Sequence, residues 1–482
     1  MQRWFWISLV VAGCGRTHDD PPALLPLPEP EPGELDLEPA FRSGARLRAE
    51  VIADAAGTQA FSRWLDSELG LTCQFLRSGD GEVRCLPAAF GFSVYREPTV
   101  AFADPECTRE LGYVIDGAKF WVGYPLPGQP CDEPRFPVRN VGALVPAEAS
   151  QYRVDPETGA CVESRVLAAL SPGERHFLED EAPAEWFERG ERAVATGAGR
   201  LRAIEIRGDD GSFERVGIRD TKLELDCHAN GGTCMPVDAA FVATPYVDQT
   251  CTEHVVDYFS ASAFRGVDCL PPQLAYRYVA DACGSRLIPH ALGERFEGEL
   301  FTDDGGLCGS YQGPTDAVRS FRLGAELEHG LEPVSSQWLG RGRLRVLAEF
   351  SSDGARLDLA QRARMKDATA RSACYAHELC DGSLACEQTE SYPLFADSRC
   401  SRAIYALRGE NCLTPPAAIP AFHPGTCWEG SFLELGSKLE LETVYGASPG
   451  DCRKVEFGDS DVSWLGTRPS ALLPLSLDRH VE

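Results

Sequence analysis

The chain has 482 residues, 43% of them hydrophobic and 25% charged, and a net charge of −27. That length exceeds one ordinary hydrophobic core, and the composition is that of a folded protein, not a disordered one. So negative a surface repels nucleic acid and anionic lipid headgroups, which excludes both as expected partners; solubility alone is sufficient reason for it.

Residues 1–13 read as a signal peptide. Arg3 supplies a positive charge, and Trp4 to Gly13 form a ten-residue apolar run, too short to span a bilayer. Val11-Ala12-Gly13-Cys14 resembles the bacterial lipobox. The resemblance implies a lipoprotein: diacylation of the Cys14 sulfur, cleavage before it, and acylation of the new amine. Several acyl chains suffice for stable anchoring. An ordinary secretory signal is the competing reading. Gly15, where some lipoproteins carry Asp, points to the outer membrane of the cell envelope. The anchor is the only membrane contact expected, because no other stretch is long and apolar enough to cross.

Residues 14–42 hold the lipidated Cys and a linker. Seven prolines from Pro21 to Pro39 and five acids from Glu29 to Glu38 predict extended, polyproline-like chain. At full extension it reaches roughly 80 Å.

Three copies of one repeat follow, over 43–197, 198–340 and 341–482. Arg46-Leu47-Arg48, Arg200-Leu201-Arg202 and Arg343-Leu344-Arg345 open them, each just after a glycine (Gly44, Gly199, Gly342). Asp66, Asp220 and Asp367 come next, each seven residues before a cysteine (Cys73, Cys227, Cys374). A second cysteine follows (Cys85, Cys234, Cys386), then an aromatic-x-Asp-x-x-Cys run: Phe102 to Cys107, Tyr246 to Cys251 and Phe395 to Cys400. Trp186, Trp338 and Trp464 mark the ends.

Within a copy the pattern is β. Arg200 to Arg207 and Lys222 to Asp226 alternate apolar and polar, and Asp-Gly steps at Asp210-Gly211, Asp353-Gly354 and Asp381-Gly382 are turn signals. Ala360 to Ala370 has helical propensity, but its match in the second copy, Glu214 to Asp220, reads as strand. The expected fold is all-β. Two four-stranded blades per copy would close a six-bladed β-propeller; tandem β-sandwich-like domains are the alternative.

Of 19 cysteines, 18 remain after Cys14, an even number in a chain expected to leave the reducing cytosol. No C-x-x-C pair occurs, and His228, His254 and His377 do not fall at zinc-finger spacing, so disulfides are expected and a metal site is not. The simplest connectivity is local: Cys73–Cys85, Cys227–Cys234, Cys374–Cys386, Cys251–Cys269, Cys400–Cys412, Cys283–Cys308, Cys427–Cys452 and Cys131–Cys161. Cys107 and Cys380 are left to join each other across copies, although sequence alone leaves connectivity open.

The repeated carboxylates are the candidates for chemistry. Asp66, Asp220 and Asp367 form one set, and Asp104, Asp248 and Asp397 another. Such groups can perform acid/base work or bind calcium, the one cofactor weighed. Recurrence at matching places in every copy favours a turn-forming role. Asp303-Asp304 and Asp459-Ser460-Asp461 are fragments of calcium-loop spacing without the rest of it. His377-Glu378 is expected in a loop and has no second His at helical spacing. No nucleophile elbow, zinc-protease or phosphate-loop motif is present, so no catalytic residue is assigned. Trp64, Trp121, Trp186, Trp338 and Trp464 are expected in the core.

The RLR opening, the Asp-x6-Cys step, Cys85-Leu86-Pro87 and Cys234-Met235-Pro236, and the aromatic-x-Asp-x-x-Cys run resemble Cys-rich repeat lipoproteins of predatory, myxobacterial-type soil bacteria. The third copy departs from the pattern, with Glu387-Gln388 after Cys386, and the first lacks a match for Cys269. The resemblance implies location and architecture but no activity. The expected function is a non-enzymatic envelope scaffold for binding or adhesion, with a protein or glycan partner. The alternative is an extracytoplasmic hydrolase with its site in a central channel.

Overall fold

The computed structural model describes residues 39–482 apart from 89–100, 124–134, 164–173, 259–273, 312–318, 389–393, 408–417, 421–431, 456–461, 470–474 and interruptions of one to three residues. The described residues form 37 β-strands and no α-helix, so the protein is all-β. The alternating stretch of the second opening becomes the strand Leu201–Gly208; Asp210-Gly211, with Gly211 at φ 89°, turns it into Phe213–Asp220. Lys222 to Asp226 is different. Residues 221–224 are a turn, with Glu224 at φ 53°, and the strand begins only at Leu225. The ambiguous stretch of the third copy is a short 3-10 turn, Ala360–Arg362, followed by the strand Met365–Asp367.

Three four-stranded meanders make the hub. The first is Leu47–Ala53, Gln59–Asp66, Leu71–Arg77 and Val83–Pro87. The second is Leu201–Gly208, Phe213–Asp220, Leu225–Asn230 and Thr233–Pro236; the third is Leu344–Phe350, Met365–Asp367, Ser372–Glu378 and Leu384–Gln388. Single strands splice them. Arg189–Val194 pairs with the last strand of the first meander and the first strand of the second. Ser476–Val481, at the C-terminus, pairs with the last strand of the third meander and the first strand of the first. Ser335–Leu339 pairs with the opening strand of the third, while Pro333 bridges Thr233 and the Val334 N–H donates to the Gly232 carbonyl at 2.8 Å. The ring of pairings therefore closes on itself, which leaves the hub no long free edge.

Each copy also carries a separate seven-stranded sheet, built from strands within 101–181, 240–326 and 394–469. One sixteen-stranded sheet and three of seven replace the six four-stranded blades of the expected propeller. The splicing segments are the cause, since Arg189–Val194 and Ser476–Val481 each pair on both sides and Pro333 and Val334 link Ser335–Leu339 back to the second meander, fusing what would otherwise be separate blades.

A carboxylate exchange locks the ring. Asp210, in the first turn of the second meander, accepts the backbone N–H of Arg46 at 2.9 Å and of Leu47 at 2.6 Å, where the first meander begins. Asp54, in the first turn of the first meander, accepts the Leu344 N–H at 3.0 Å, where the third begins. The Asp353 carboxylate of the third meander lies against Gly199, where the second begins. A side chain at Gly44, Gly199 or Gly342 would collide with Asp210, Asp353 or Asp54 respectively. These are the glycines that precede each RLR.

Apolar packing follows the same order. Around Trp64, Phe61 and Phe75 of the first meander pack Ile206 and Val216 of the second and Ala360 of the third. Ile52 and Ala60 of the first meander enter the core of the third, and Leu357 of the third enters that of the second. Gly199→Ala is accordingly expected to destabilise the protein by about 1–3 kcal/mol. Gly197→Ala, whose new methyl group meets nothing, is near neutral. Urea unfolding of the two variants checks this, and equal midpoints would contradict the carboxylate exchange.

Candidate functional site

The first set of aspartates is committed to the hub. Arg46 grips Asp66 with Nε 3.0 Å from Oδ1 and Nη2 2.7 Å from Oδ2. Arg200 does the same to Asp220 at 3.0 and 2.8 Å, and Arg343 to Asp367 at 2.9 and 2.6 Å. Oδ1 of each carboxylate also accepts two backbone N–H groups: those of Glu68 and Leu69, Lys222 and Leu223, and Thr369 and Ala370. All three are at most 2% exposed. A buried carboxylate requires such pairing; removing one partner of a pair like this costs about 3–5 kcal/mol.

The second set shapes turns. Asp104 accepts the N–H of Thr108 and Arg109, Asp248 those of Thr252 and Glu253, and Asp397 those of Ser401 and Arg402. The donors hold all three below the ordinary carboxylate range. The Thr108 N–H is the main cause at Asp104 and the Thr250 hydroxyl at Asp248; at Asp397 desolvation opposes the shift and the N–H groups outweigh it. Each turn ends on a cysteine in the left-handed region: Cys107 at φ 54°, Cys251 at 53° and Cys400 at 50°. Non-glycine residues rarely adopt that conformation. Here the cysteine N–H donates to the Asp carbonyl at 3.1 Å in all three copies, and the side chain is fixed by a disulfide.

The disulfides correct the local scheme in part. Cys73–Cys85, Cys227–Cys234 and Cys374–Cys386 staple the last two strands of each meander. The turn cysteines reach further: Cys107 joins Cys161, Cys251 joins Cys308 and Cys400 joins Cys452, at sequence separations of 54, 57 and 52. These replace the expected Cys107–Cys380, Cys131–Cys161, Cys251–Cys269, Cys283–Cys308, Cys400–Cys412 and Cys427–Cys452. The physical reason is sheet pairing, as when Tyr152 pairs with Phe102 and carries the hairpin that holds Cys161 back to the turn. Cys380 is also disulfide-bonded. Its partner lies outside the described residues, as do Cys14, Cys131, Cys269, Cys283, Cys412 and Cys427.

Other candidates disperse. Asp303 and Asp304 end the strand Phe301–Asp304, and Asp459 to Asp461 lie outside the described residues. His228, His254 and His377 stand on three different strands. His377 is in the strand Ser372–Glu378, not in a loop, with Nδ1 2.9 Å from Glu387 Oε2. Trp64 is fully buried, whereas Trp186 is 45% exposed and so is not a core residue.

One buried acid has no counterpart in the other copies. Glu214, six residues before Asp220, matches Ala60 and Gln361. Its side chain is buried where the meanders meet, and it accepts the Trp64 indole N–H at 2.6 Å across the first junction. Gln361 interacts with it from the third meander, and its backbone pairs with Phe41 of the N-terminal strand Phe41–Arg42. Burial raises the carboxyl from 4.5 to about 7, although the bonds from Trp64 and Gln361 favour its charged form. No sequence motif marks this residue; the only signal is an acid at an alternation position that predicts burial.

A family model described as a family of unknown function, DUF7481, matches residues 34–348. That is well over half of the chain, and the chain belongs to this family. No curated protein and no solved structure matches it.

Two outcomes are expected. Non-reducing peptide mapping recovers Cys107 with Cys161, Cys251 with Cys308 and Cys400 with Cys452; Cys107 recovered with Cys380 would restore the local scheme. A carboxyl raised on folding stabilises fully below about pH 4.5 and loses that contribution as pH rises through about 7. The loss is on the order of 3 kcal/mol. Glu214→Gln keeps an oxygen for Trp64 and has no charge to bury. Its urea midpoint therefore lies above wild type at pH 8, and the gap narrows at pH 5. Parallel pH profiles would contradict this.

Proposed function

The chain belongs to the DUF7481 family, whose function is unknown, and we propose that it is an exported cell-envelope protein, lipid-anchored through Cys14. Its disulfide-stabilised β scaffold presents surfaces for binding or adhesion. The observation that carries this reading is the combination of a closed ring with six disulfides among the described residues. Disulfides at this density fit an extracellular or envelope protein, where thiols are oxidised. In the chain-entropy model the longer three are worth about 4 kcal/mol each and the shorter three about 2–3.

Three further points support the reading. No helix among the described residues is long and apolar enough to cross a membrane, so a lipid on Cys14 would supply the attachment. The proposed tether ends where Phe41–Arg42 joins the hub, and Phe41 is buried against Phe61. Pull on the linker would thus be borne by the ring. The junction of the meanders is packed with Phe41, Phe61, Trp64 and Phe75, and the one acid buried there, Glu214, is bonded to Trp64, an arrangement that suits a scaffold core better than a channel-borne hydrolase.

Metabolic labelling with an alkyne fatty acid, followed by fractionation of the bacterial host, tests the anchor. The wild-type chain carries label and sediments with outer membranes, while Cys14→Ala is unlabelled and soluble. An unlabelled wild-type chain would overturn the lipoprotein reading.

A further inference from the structure

The three meanders share their inner faces and differ on their outer ones. Inside, each repeats the same leucine, aspartate and cysteine pair. Outside, the residue after the first cysteine is Gln74, His228 or Tyr375, and two further on it is Leu76, Asn230 or His377. After the second cysteine comes Leu86, Met235 or Glu387. In the first meander this face is covered by the copy's own inserted sheet, with Leu76 and Leu86 packed around Phe120 and Val138. The third meander has none of those apolar residues at the matching positions.

What it carries instead is aromatic and basic. Cross-strand partners and alternate residues share a face. Trp338 faces Leu347, Arg345 faces Lys366, Lys366 faces Ala373, and Tyr375 faces Glu387. Trp338, Arg345, Lys366, Tyr375 and His377 therefore lie on one side of the sheet. Trp338 and Tyr375 are three strands apart, about 14 Å, with Arg345 and Lys366 on the strands between them. The Lys366 ammonium lies 5.6 Å from the Trp338 ring centroid, and the Tyr375 and His377 rings meet edge-on at 6.2 Å. Tyr375 is 44% exposed. The acids of this face already have partners, Glu349 with Arg364 at 3.0 Å and Glu387 with His377 at 2.9 Å. Arg345 and Lys366 then leave the face positive in a chain of net charge −27 that holds only five lysines.

The strands Leu344–Phe350, Met365–Asp367 and Ser372–Glu378 are paired on both edges, so a peptide cannot join them as an added strand, and recognition there falls to side chains on a flat face. We propose that this face binds an anionic polysaccharide. The rings of Trp338 and Tyr375 stack on sugar faces, and Arg345 and Lys366 pair with the carboxylates along the chain. The proposal rests on the reading of the protein as an envelope binding scaffold and names the partner class.

The test uses the mature chain carrying Cys14→Ser, titrated calorimetrically with polygalacturonate at low salt, with its neutral methyl ester and polyglutamate as comparisons. The variants place residues from matching positions of the other copies: Trp338→Val (Val194 and Val481), Lys366→Leu (Leu65) and Tyr375→Gln (Gln74). The fold already accommodates these residues. Polygalacturonate is expected to bind, added salt to weaken it, and each variant to lose about tenfold in affinity with an unchanged melting temperature. Failure of polygalacturonate to bind, or equal binding by the triple variant, would overturn the proposal. Equal binding of polyglutamate would assign the face to acidic peptides, and equal binding of the methyl ester would remove the role of Arg345 and Lys366. Any of these results with Cys14 still lipid-labelled leaves the scaffold reading standing. An unlabelled Cys14 with polysaccharide binding intact would overturn the anchored reading and leave this site.

Discussion

The structure depends on a carboxylate that belongs to one repeat and completes the next. The Asp210 and Asp54 carboxylates each cap their own turn with one oxygen, through the N–H of Ser212 in one case and of Ala56 and Thr58 in the other. The other oxygen is given to the opening strand of a neighbouring meander. Charge-assisted bonds of this kind are worth about 1.5–3 kcal/mol each, and they demand that the receiving backbone carry no side chain at Gly44 or Gly342. Because every meander also lends apolar residues to a neighbour's core, none has a complete interior alone. This differs from a linear repeat array, where neighbours add stability stepwise and the ends need caps. Here the C-terminal strand Ser476–Val481 is the cap, and it closes onto the first meander.

Symmetry of that kind has a cost where matching positions converge. Three equal side chains cannot all fill one junction. Ala60, Glu214 and Gln361 share a position in the repeat, and the bulk is supplied by Trp64, whose match is Ile218 in the second meander and Met365 in the third. A buried indole N–H needs an acceptor. Glu214 provides it, at the expense of burying an acid whose charged form is disfavoured. The N-terminal strand then covers the same hairpin, with Arg42 lying over the ring of Phe213. Entry of the chain and closure of the ring thus meet at one junction.

Much of this was legible in the sequence as recurrence, and little of it as contact. The RLR opening, its preceding glycine and the aspartate that follows at twenty residues, or twenty-four in the third copy, were all visible. That Arg46 holds Asp66, or that Asp210 reaches Leu47, was not, because a hairpin must first bring the two together. The local disulfide scheme succeeded where two adjacent strands hold both cysteines. It failed where the chain leaves through a seven-stranded sheet and returns more than fifty residues later. The tryptophan landmark misled for another reason. Trp186 precedes a splicing strand, Trp338 lies within one, and Trp464 is in an inserted strand. The true equivalents are Glu188, Glu332 and Leu475, whose carbonyls accept the N–H of Cys85, Cys234 and Cys386. A backbone acceptor places no demand on residue type, so it leaves no trace in sequence.

The same logic separates scaffold from function. A residue that recurs in all three copies answers a need all three share, and the structure accounts for those residues by the ring: arginine on aspartate, aspartate on backbone, cysteine on cysteine. None is left to distinguish one copy from another. A partner that meets the protein on one side meets only one copy, so its recognition must reside in residues that do not recur. The outer faces of the meanders are where recurrence stops. Glu387 and His377, standing where the first meander has Leu86 and Leu76, are departures that packing alone would disfavour, since each exchanges an apolar contact for a polar group that must be satisfied. His377 Nδ1 stands 2.9 Å from Glu387 Oε2, so each polar group that replaces a leucine meets a polar partner on its own face.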